Sequence, residues 1–574
     1  MVDVAGLLEA RLQAAFDTLA PGSDPVLRPS DHGDFQANGA LPLAKVLGRA
    51  PREVASAVVA ASDLEEICAA VEIAGPGFIN LTLDRGFLEG ALSSMADDPR
   101  LGIEEVAHPE RVVVDYSAPN VAKEMHVGHL RTTCIGDAIC RLLGFVGHEV
   151  VRENHIGDWG TPFGMLIEHL VDLGEDRGVE ALSVGDLTGF YQAARKSFDA
   201  DPAFADRSRA RVVALQAGDP DTLRLWRVLV AESVAYFNEV YRKLGVLLTD
   251  DDLVGESFYN PMLPAVVADL RAAGLLREND GAQCVFPEGF TNREGAPLPL
   301  IVQKSDGGFG YAATDLAAIR DRVERIGADR MLYVVGAEQS QHLEMCFAVA
   351  RLAGWLPDRV HAEHVAHGIV LGEDHKRLRT RAGDTVKLVA LLDEAIERAE
   401  AAVVERSGAF GGEELREVAE AIGIGAVKYA DLSTDRERDY VFDLDRMLAF
   451  DGDTGPYLQY AHARIRSVLR RAEEEGIVPS ASVVVTEPAE RALGIALIGL
   501  PGAIAQAAQS ARPNRLCSHL LVIATRFTAF YEHCPILRAE LPQTRAERAK
   551  LATVTARALA LGLGLLGIVA PERM

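Results

Sequence analysis

The sequence predicts a multidomain α/β protein: a Rossmann-like parallel-sheet domain with a helical insertion, an N-terminal α+β domain and an all-helical C-terminal domain. Three observations predict it. Residues 111–116 (RVVVDY) and 149–152 (EVVR) are short β-branched runs, and between them Leu130, Cys134, Ala138 and Leu142 recur at helical spacing. Strand, loop, helix and strand in that order make a βαβ unit. The same alternation resumes over residues 298–368, after a mostly helical stretch at about 176–295, and beyond residue 410 strand signals give way to helices.

Bulk properties narrow the class. With 574 residues the chain holds several domains, and 48% hydrophobic with 25% charged residues is ordinary for a soluble protein. A net charge of −26 argues against wholesale coating of nucleic acid and confines any RNA-binding surface to local basic patches. The seven cysteines are scattered, with no CxxC pair, so they read as structural residues of a reducing cytoplasm; no tightly bound metal is expected. The start of the chain lacks the basic region of a signal peptide. The most apolar run, 558–570, is shorter than a membrane span and reads as a core helix.

Taken in order, residues 1–105 form the α+β domain. Helical periodicity over 4–19 ends at Pro21-Gly22, helices follow over 37–47 and 51–61, and residues 73–83 (IAGPGFINLTL) alternate around a Gly-Pro-Gly turn. Residues 106–410 form the parallel-sheet domain, with the insertion at about 176–295. Strands are expected at 111–116, 149–152, 298–304 and 331–335, and a helix at 340–353. Tyr311 and Asp315, four apart, share a helix face or its entry turn. The loop at 371–388 (LGEDHKRLRTRAGDTVKL) is basic and flanked by glycine. Residues 411–574 are helical; Tyr457, Tyr460 and His462 interleave with Arg464, Arg466 and Arg470, a pattern suited to unpaired bases and phosphates.

Chemistry concentrates at residues 117–131, SAPNVAKEMHVGHLR. His126, Gly128 and His129 fall where a loop enters a helix, so unpaired backbone N–H groups and the positive helix end face one spot. Two imidazoles there can donate hydrogen bonds to a nucleoside triphosphate as charge develops at phosphorus. Ser117, Pro119, Asn120, Ala122, Lys123, the HVGH and Leu130–Arg131 together resemble the ATP-binding signature of class I aminoacyl-tRNA synthetases, and within that class the arginyl type. The stretches HGDFQAN (32–38) and GPGFIN (75–80) resemble the additional N-terminal domain of that type. Residues 526–537 and 565–574 resemble its helical anticodon-binding domain. The second class I signature departs from KMSKS: here it reads Lys376, Arg377, Leu378, Arg379, Thr380, Arg381.

The resemblance implies arginine–tRNA ligation. Arginine is activated by ATP, with Mg2+ on the phosphates, to arginyl-adenylate and passed to the terminal ribose of its tRNA. Activation by members of the family needs tRNA present. It implies ATP binding by Asn120, His126, Gly128 and His129. Catalytic charge comes from His126, His129 and Lys123, with Lys376, Arg379 or Arg381 closing from the loop. Arginine falls to Asn120, Glu149, Asn154, Tyr311, Asp315 and Gln339, the carboxylates of Glu149 and Asp315 taking the guanidinium. Phe78 and Asn80 are either core and turn residues or contacts to the tRNA elbow. Tyr457, Tyr460, His462 and Arg464 face the anticodon loop. The expected partners are tRNA, L-arginine and ATP; the expected state is a cytoplasmic monomer without membrane attachment. A standalone nucleotidyltransferase would need no helical C-terminal domain of this length. A silent RNA-binding paralogue would have shed the pocket groups that are present here.

Overall fold

The computed structural model describes residues 4–30, 32–174, 187–378, 386–407 and 410–574. They form two compact units, one of Val106–Ala401 with Ala426–Leu448, the other of Met1–Glu105, Ala402–Gly425 and Ala449–Met574.

The first unit is built on a four-stranded parallel sheet. Its strands run in the order His361–His364, Arg330–Tyr333, Arg111–Asp115, Glu149–Glu153. Val112, Val113 and Val114 are buried on the central strand, as expected where helices cover both faces. From Arg111–Asp115 the chain passes through helix Val127–Phe145 to the strand on one side; from Arg330–Tyr333 it passes through helix Ser340–Leu352 to the strand on the other. The two central strands are therefore a topological switch point, and ligands of such sheets collect at the carboxyl ends beside it. Those ends are Asp115 and Tyr333, which face each other in register.

Three details differ from the expected layout. The run at 298–304 does form a strand, Leu300–Gln303, but it pairs antiparallel with Ala282–Val285 in a separate three-stranded sheet. The helix expected over 37–47 is Ala40–Leu47, and Ala37 instead ends strand Phe35–Ala37. Beyond 410 one short strand persists: Tyr440–Val441 pairs in parallel with Val370–Leu371 at the base of the basic loop. A two-residue strand is too short to show an alternation.

In the second unit an antiparallel sheet, in the order Leu27–Pro29, Phe35–Ala37, Phe78–Leu83, Cys68–Ala74, shares a core with helices from the far end of the sequence. Arg491 donates to Asp34 Oδ2 (2.5 Å) and to the Leu83 carbonyl (2.8 Å), and a Cβ at Gly494 would meet Leu92 at 2.8 Å. The apolar run at 558–570 lies largely in helix Pro542–Leu565, where Ala558, Leu559 and Leu563 are buried. Pro488–Gln509 is long and apolar enough to cross a membrane, but it is two helices, Pro488–Ile498 and Leu500–Gln509, and half of its apolar window is buried in the protein.

Candidate active site

Helix Val127–Phe145 begins with a reciprocal cap made by its own two histidines. His126 is the N-cap residue; its Nδ1 accepts from the Gly128 N–H (3.0 Å), and His129 Nδ1 accepts from the His126 N–H (3.1 Å). A backbone amide can only donate, so both Nδ1 atoms are unprotonated and each neutral ring carries its hydrogen on Nε2. Burial lowers the His126 pKa, helped by Arg377 and Lys123, and pushes His129 down to about 3. At neutral pH the pair therefore offers two Nε2–H donors. Gly128 is required beneath the first ring: a Cβ there would come 2.7 Å from His126 Cε1. The glycine thus makes room for the histidine ring.

The loop leading to this helix is strained. Ser117 (φ 73°), Ala118 (φ 47°) and Ala122 (φ 60°) all occupy the left-handed region, at roughly 1–3 kcal/mol each for residues other than glycine. Tertiary hydrogen bonds hold them there. Ser117 Oγ meets Tyr241 Oη at 2.7 Å, the Ala118 N–H donates to Asn154 Oδ1 (3.0 Å), and the Ala122 N–H donates to Ser233 Oγ (2.9 Å). Ser233 and Tyr241 belong to helix Pro220–Leu244, in the helical insertion. Asn154 is fully buried and donates its Nδ2–H to Tyr241 Oη (2.9 Å), so both ends of its amide are committed. It is a loop holder, not the expected substrate ligand. Asn120 is exposed and packs on Gly157, where a Cβ would lie 2.3 Å from its Oδ1.

Carboxylates gather at the switch point. Asp115, at the carboxyl end of its strand, is buried; Oδ2 accepts from Arg322 Nη2 (2.7 Å), while Oδ1 is buried without a hydrogen-bond partner. Arg322 also donates to Glu153 Oε2 (2.6 Å) and lies 4.8 Å over the Tyr333 ring. Asp315 is half-buried, with Oδ2 held 2.6 Å from His342 Nε2, a bond that raises the His342 pKa. Glu256 belongs to the same cluster: burial, Asp158 and Asp315 push its carboxyl up to about 7. Both Asp115 and Asp315 act on the phenol of Tyr333. Tyr311 opens the helix that carries Asp315 and is 77% exposed, and Gln339 is exposed in the turn Ala337–Gln339.

Glu149 is the expectation the structure overturns. It starts its strand, pairs with the Arg111 guanidinium at 2.9 Å and is largely exposed. Four residues of strand put it about 13 Å from the carboxyl edge. The acid that does reach that edge from the neighbouring strand is Asp115. The rule that ligands sit beyond strand carboxyl ends could have found it, since it is the last strand residue before the SAPN loop.

The basic loop is tied down at both ends. Val370–Leu371 anchors one side; on the other, the Val127 N–H donates to the Val386 carbonyl (3.1 Å), and Lys387 pairs with Glu124 (2.8 Å). Lys376 is exposed, and Arg379 and Arg381 lie outside the described residues. Arg377, which was not among the expected catalytic cations, is close enough to help depress the His126 pKa. Lys123 is exposed, with its ammonium 4.7 Å over the Tyr191 ring.

Comparison with known proteins gives the family. Residues 92–444 match the model of the class I (R) tRNA synthetase catalytic domain. Residues 458–574 match the DALR anticodon binding domain, and residues 4–83 the arginyl tRNA synthetase N terminal domain. The chain belongs to the arginyl-tRNA synthetase family. It is 54% identical over 571 residues to the arginine–tRNA ligase of Thermobifida fusca, covering 100% of this chain and 99% of that one. The solved arginyl-tRNA synthetase of Plasmodium falciparum superposes with a TM-score of 0.86 at 28% identity, covering 100% of each chain. That of Thermus thermophilus gives 0.82 at 26% identity, covering 99% of this chain and 100% of that one. An aminoacyl-tRNA ligase of class I is thus the enzyme this site serves.

The residues expected to meet tRNA lie in the second unit and divide into two kinds. Asn80 is buried and accepts from Gln36 Nε2 (2.7 Å), and His462 is buried with Nδ1 2.9 Å from the Pro571 carbonyl. Both are buried and each makes an internal hydrogen bond. Phe78 is half-buried. Tyr457 Oη lies 3.4 Å from Thr528 Oγ1, Arg406 sits 5.1 Å over the Tyr460 ring, and Arg464 sits 4.2 Å over the Tyr531 ring. These three keep a partly exposed face.

Proposed function

We propose how this arginine–tRNA ligase divides its two steps among its residues. ATP enters with Mg2+ on its phosphates and lies across the start of helix Val127–Phe145. The Nε2–H groups of His126 and His129 donate to phosphate oxygens, strengthening as negative charge grows during attack by the arginine carboxylate. Lys123 from one wall and a loop cation from the other stabilise departing pyrophosphate; Arg377 joins Lys376, Arg379 and Arg381 as candidates. The arginine guanidinium is held by Asp115 Oδ1 and Asp315, with Tyr311 against its plane, and Asn120 and Gln339 orient the amino-acid end. The 2′ hydroxyl of the tRNA terminal ribose then attacks the arginyl-adenylate, and Phe78, Tyr457, Tyr460 and Arg464 contact the tRNA. The enzyme works as a cytoplasmic monomer; seven buried cysteines, none in a disulfide, are consistent with that compartment.

One observation carries the choice of amino acid. At the carboxyl end of the central strand Asp115 gives Oδ2 to Arg322 and keeps Oδ1 without a hydrogen-bond partner, an acceptor suited to a further cationic donor. The test is pyrophosphate exchange with each amino acid separately, with and without tRNA. Exchange is expected with arginine only, and only when tRNA is present. Arginine-dependent exchange that ignores tRNA would count against the assignment.

A further inference from the structure

One buried thiol beside the arginine pocket takes no part in the chemistry above. His342 and Cys346 are one turn apart on helix Ser340–Leu352 and so share a face. Asp315, from helix Tyr311–Asp321, meets them there. His342 Nε2 lies 2.6 Å from Asp315 Oδ2 and 3.6 Å from Cys346 Sγ. The oxygen, nitrogen and sulfur all fall within 4.8 Å of one another, and no other three such donors do so among the described residues.

These distances suit a tetrahedral ion. With Zn–S about 2.3 Å and Zn–N about 2.0–2.1 Å, a tetrahedral N–S edge is roughly 3.6 Å. His342 and Cys346 already stand at that separation. The Asp315–His342 contact is a hydrogen bond, and an N–O edge is longer, roughly 3.4 Å. Asp315 must therefore swing away by less than 1 Å, exchanging its bond to His342 for a bond to the ion. A thiolate with an imidazole selects zinc-like dications over Mg2+, which prefers oxygen ligands and its own water. The Asp315 and His342 side chains are 25% and 32% exposed and Cys346 is fully buried, so an ion would reach the sulfur from the side of the first two.

We propose that Asp315, His342 and Cys346 form a binding site for a thiophilic divalent cation, Zn2+ or Cd2+, whose occupancy withdraws Asp315 from the arginine guanidinium and so inhibits arginine activation. Binding releases the Cys346 thiol proton to solvent and leaves the His342 ring neutral with its hydrogen on Nδ1, so that Sγ and Nε2 each form a bond to the ion; nothing is oxidised or reduced. The inhibitory consequence rests on the assignment of Asp315 to the arginine pocket, whereas the site itself does not.

The test uses the full-length protein. Titration with Cd2+ is expected to raise a thiolate-to-metal charge-transfer band in the ultraviolet that saturates at one ion per chain. Cys346→Ser should lose the band while keeping arginylation activity, and the six remaining cysteines serve as an internal control. Zn2+ should inhibit wild-type arginylation in competition with arginine, and Cys346→Ser should need at least tenfold more Zn2+. Absence of the band in wild type, or its persistence in Cys346→Ser, overturns the site. A band lost in Cys346→Ser but indifferent to saturating arginine supports the site and removes Asp315 from the arginine pocket instead.

Discussion

The two halves of the proposed active site are built in opposite ways. The ATP half is one contiguous stretch whose histidines cap their own helix, so sequence neighbours fix both tautomers. The arginine half draws Asp115, Glu256, Asp315 and His342 from four separate elements, which meet only once the sheet has formed. A phosphate is recognised by helix-end groups that any βαβ turn can supply. A guanidinium needs carboxylates stripped of water and aimed together, and that requires tertiary structure.

The sharpest way to break this comparison is to neutralise the assembled half alone. Asp115→Asn and Asp315→Asn each remove a charge-assisted bond to a buried guanidinium, a loss of about 2–5 kcal/mol. The expected result is a fall of roughly 30- to several-thousand-fold in kcat/KM for arginine. KM for ATP should change less than about threefold, as for loss of an interaction outside the ATP half. Pyrophosphate exchange with each substrate varied in turn reads both numbers. Equal damage to the two KM values would mean that the halves are not separable.

A second intervention asks whether the ATP half is as self-sufficient as its sequence implies. Tyr241→Phe deletes the hydroxyl that meets Ser117 Oγ and accepts from Asn154 Nδ2, leaving two buried polar groups short of a partner. The expected cost is about 1–3 kcal/mol of stability, read by urea unfolding. Relaxation of the strained Ser117–Ala118 turn should lower kcat about tenfold, as misplacement of a reacting group does. An unchanged kcat would show that the local cap alone positions the loop.

The same contrast explains what was legible in the sequence. The parallel sheet, the helix entry and the flanking domains follow from periodicity and short motifs, because each is a local pattern. Asp315 was found with its helix face. Glu149 was misplaced because a strand's polarity decides which of its ends meets the ligand, and a motif in the following loop does not say which acid lies there. Asn154 and His462 are polar residues in motif-rich stretches, yet their hydrogen bonds turn inward to Tyr241 and to Pro571, partners 87 and 109 residues away. No spacing rule reveals a partner at that distance.

Glu256 gives a smaller, pH-dependent test of the assembled half. Its carboxyl is pushed up to about 7 by burial and by Asp158 and Asp315. Below the unfolded value both states are protonated and the group is neutral in the balance. Between about 4.5 and 7 the unfolded chain loses its proton while the folded one keeps it, so stability falls as pH rises. Above pH 7 the deficit levels at roughly 3 kcal/mol. Glu256→Gln should therefore match wild type near pH 4.5 and exceed it at pH 8 when arginine is absent. Urea unfolding at the two pH values reads this. Arginine should also release a proton on binding near pH 7, because its guanidinium favours the carboxylate, and calorimetry in buffers of different ionisation enthalpy detects that.

The smallest expected effect is the one that fixes the polarity of the site. Glu149 and Arg111 form an exposed pair at the amino edge of the sheet, with side chains 59% and 42% accessible. Exposed pairs of this kind contribute little and are screened by salt. Glu149→Gln is expected to leave kcat/KM for arginine and for ATP within about twofold of wild type, as for surface substitutions generally. Measured beside Asp115→Asn, it compares two acids on neighbouring strands of one sheet that differ in which end they occupy. If Glu149→Gln raised KM for arginine while Asp115→Asn did not, the pocket would have to lie at the amino edge, and the switch-point argument for its location would fail.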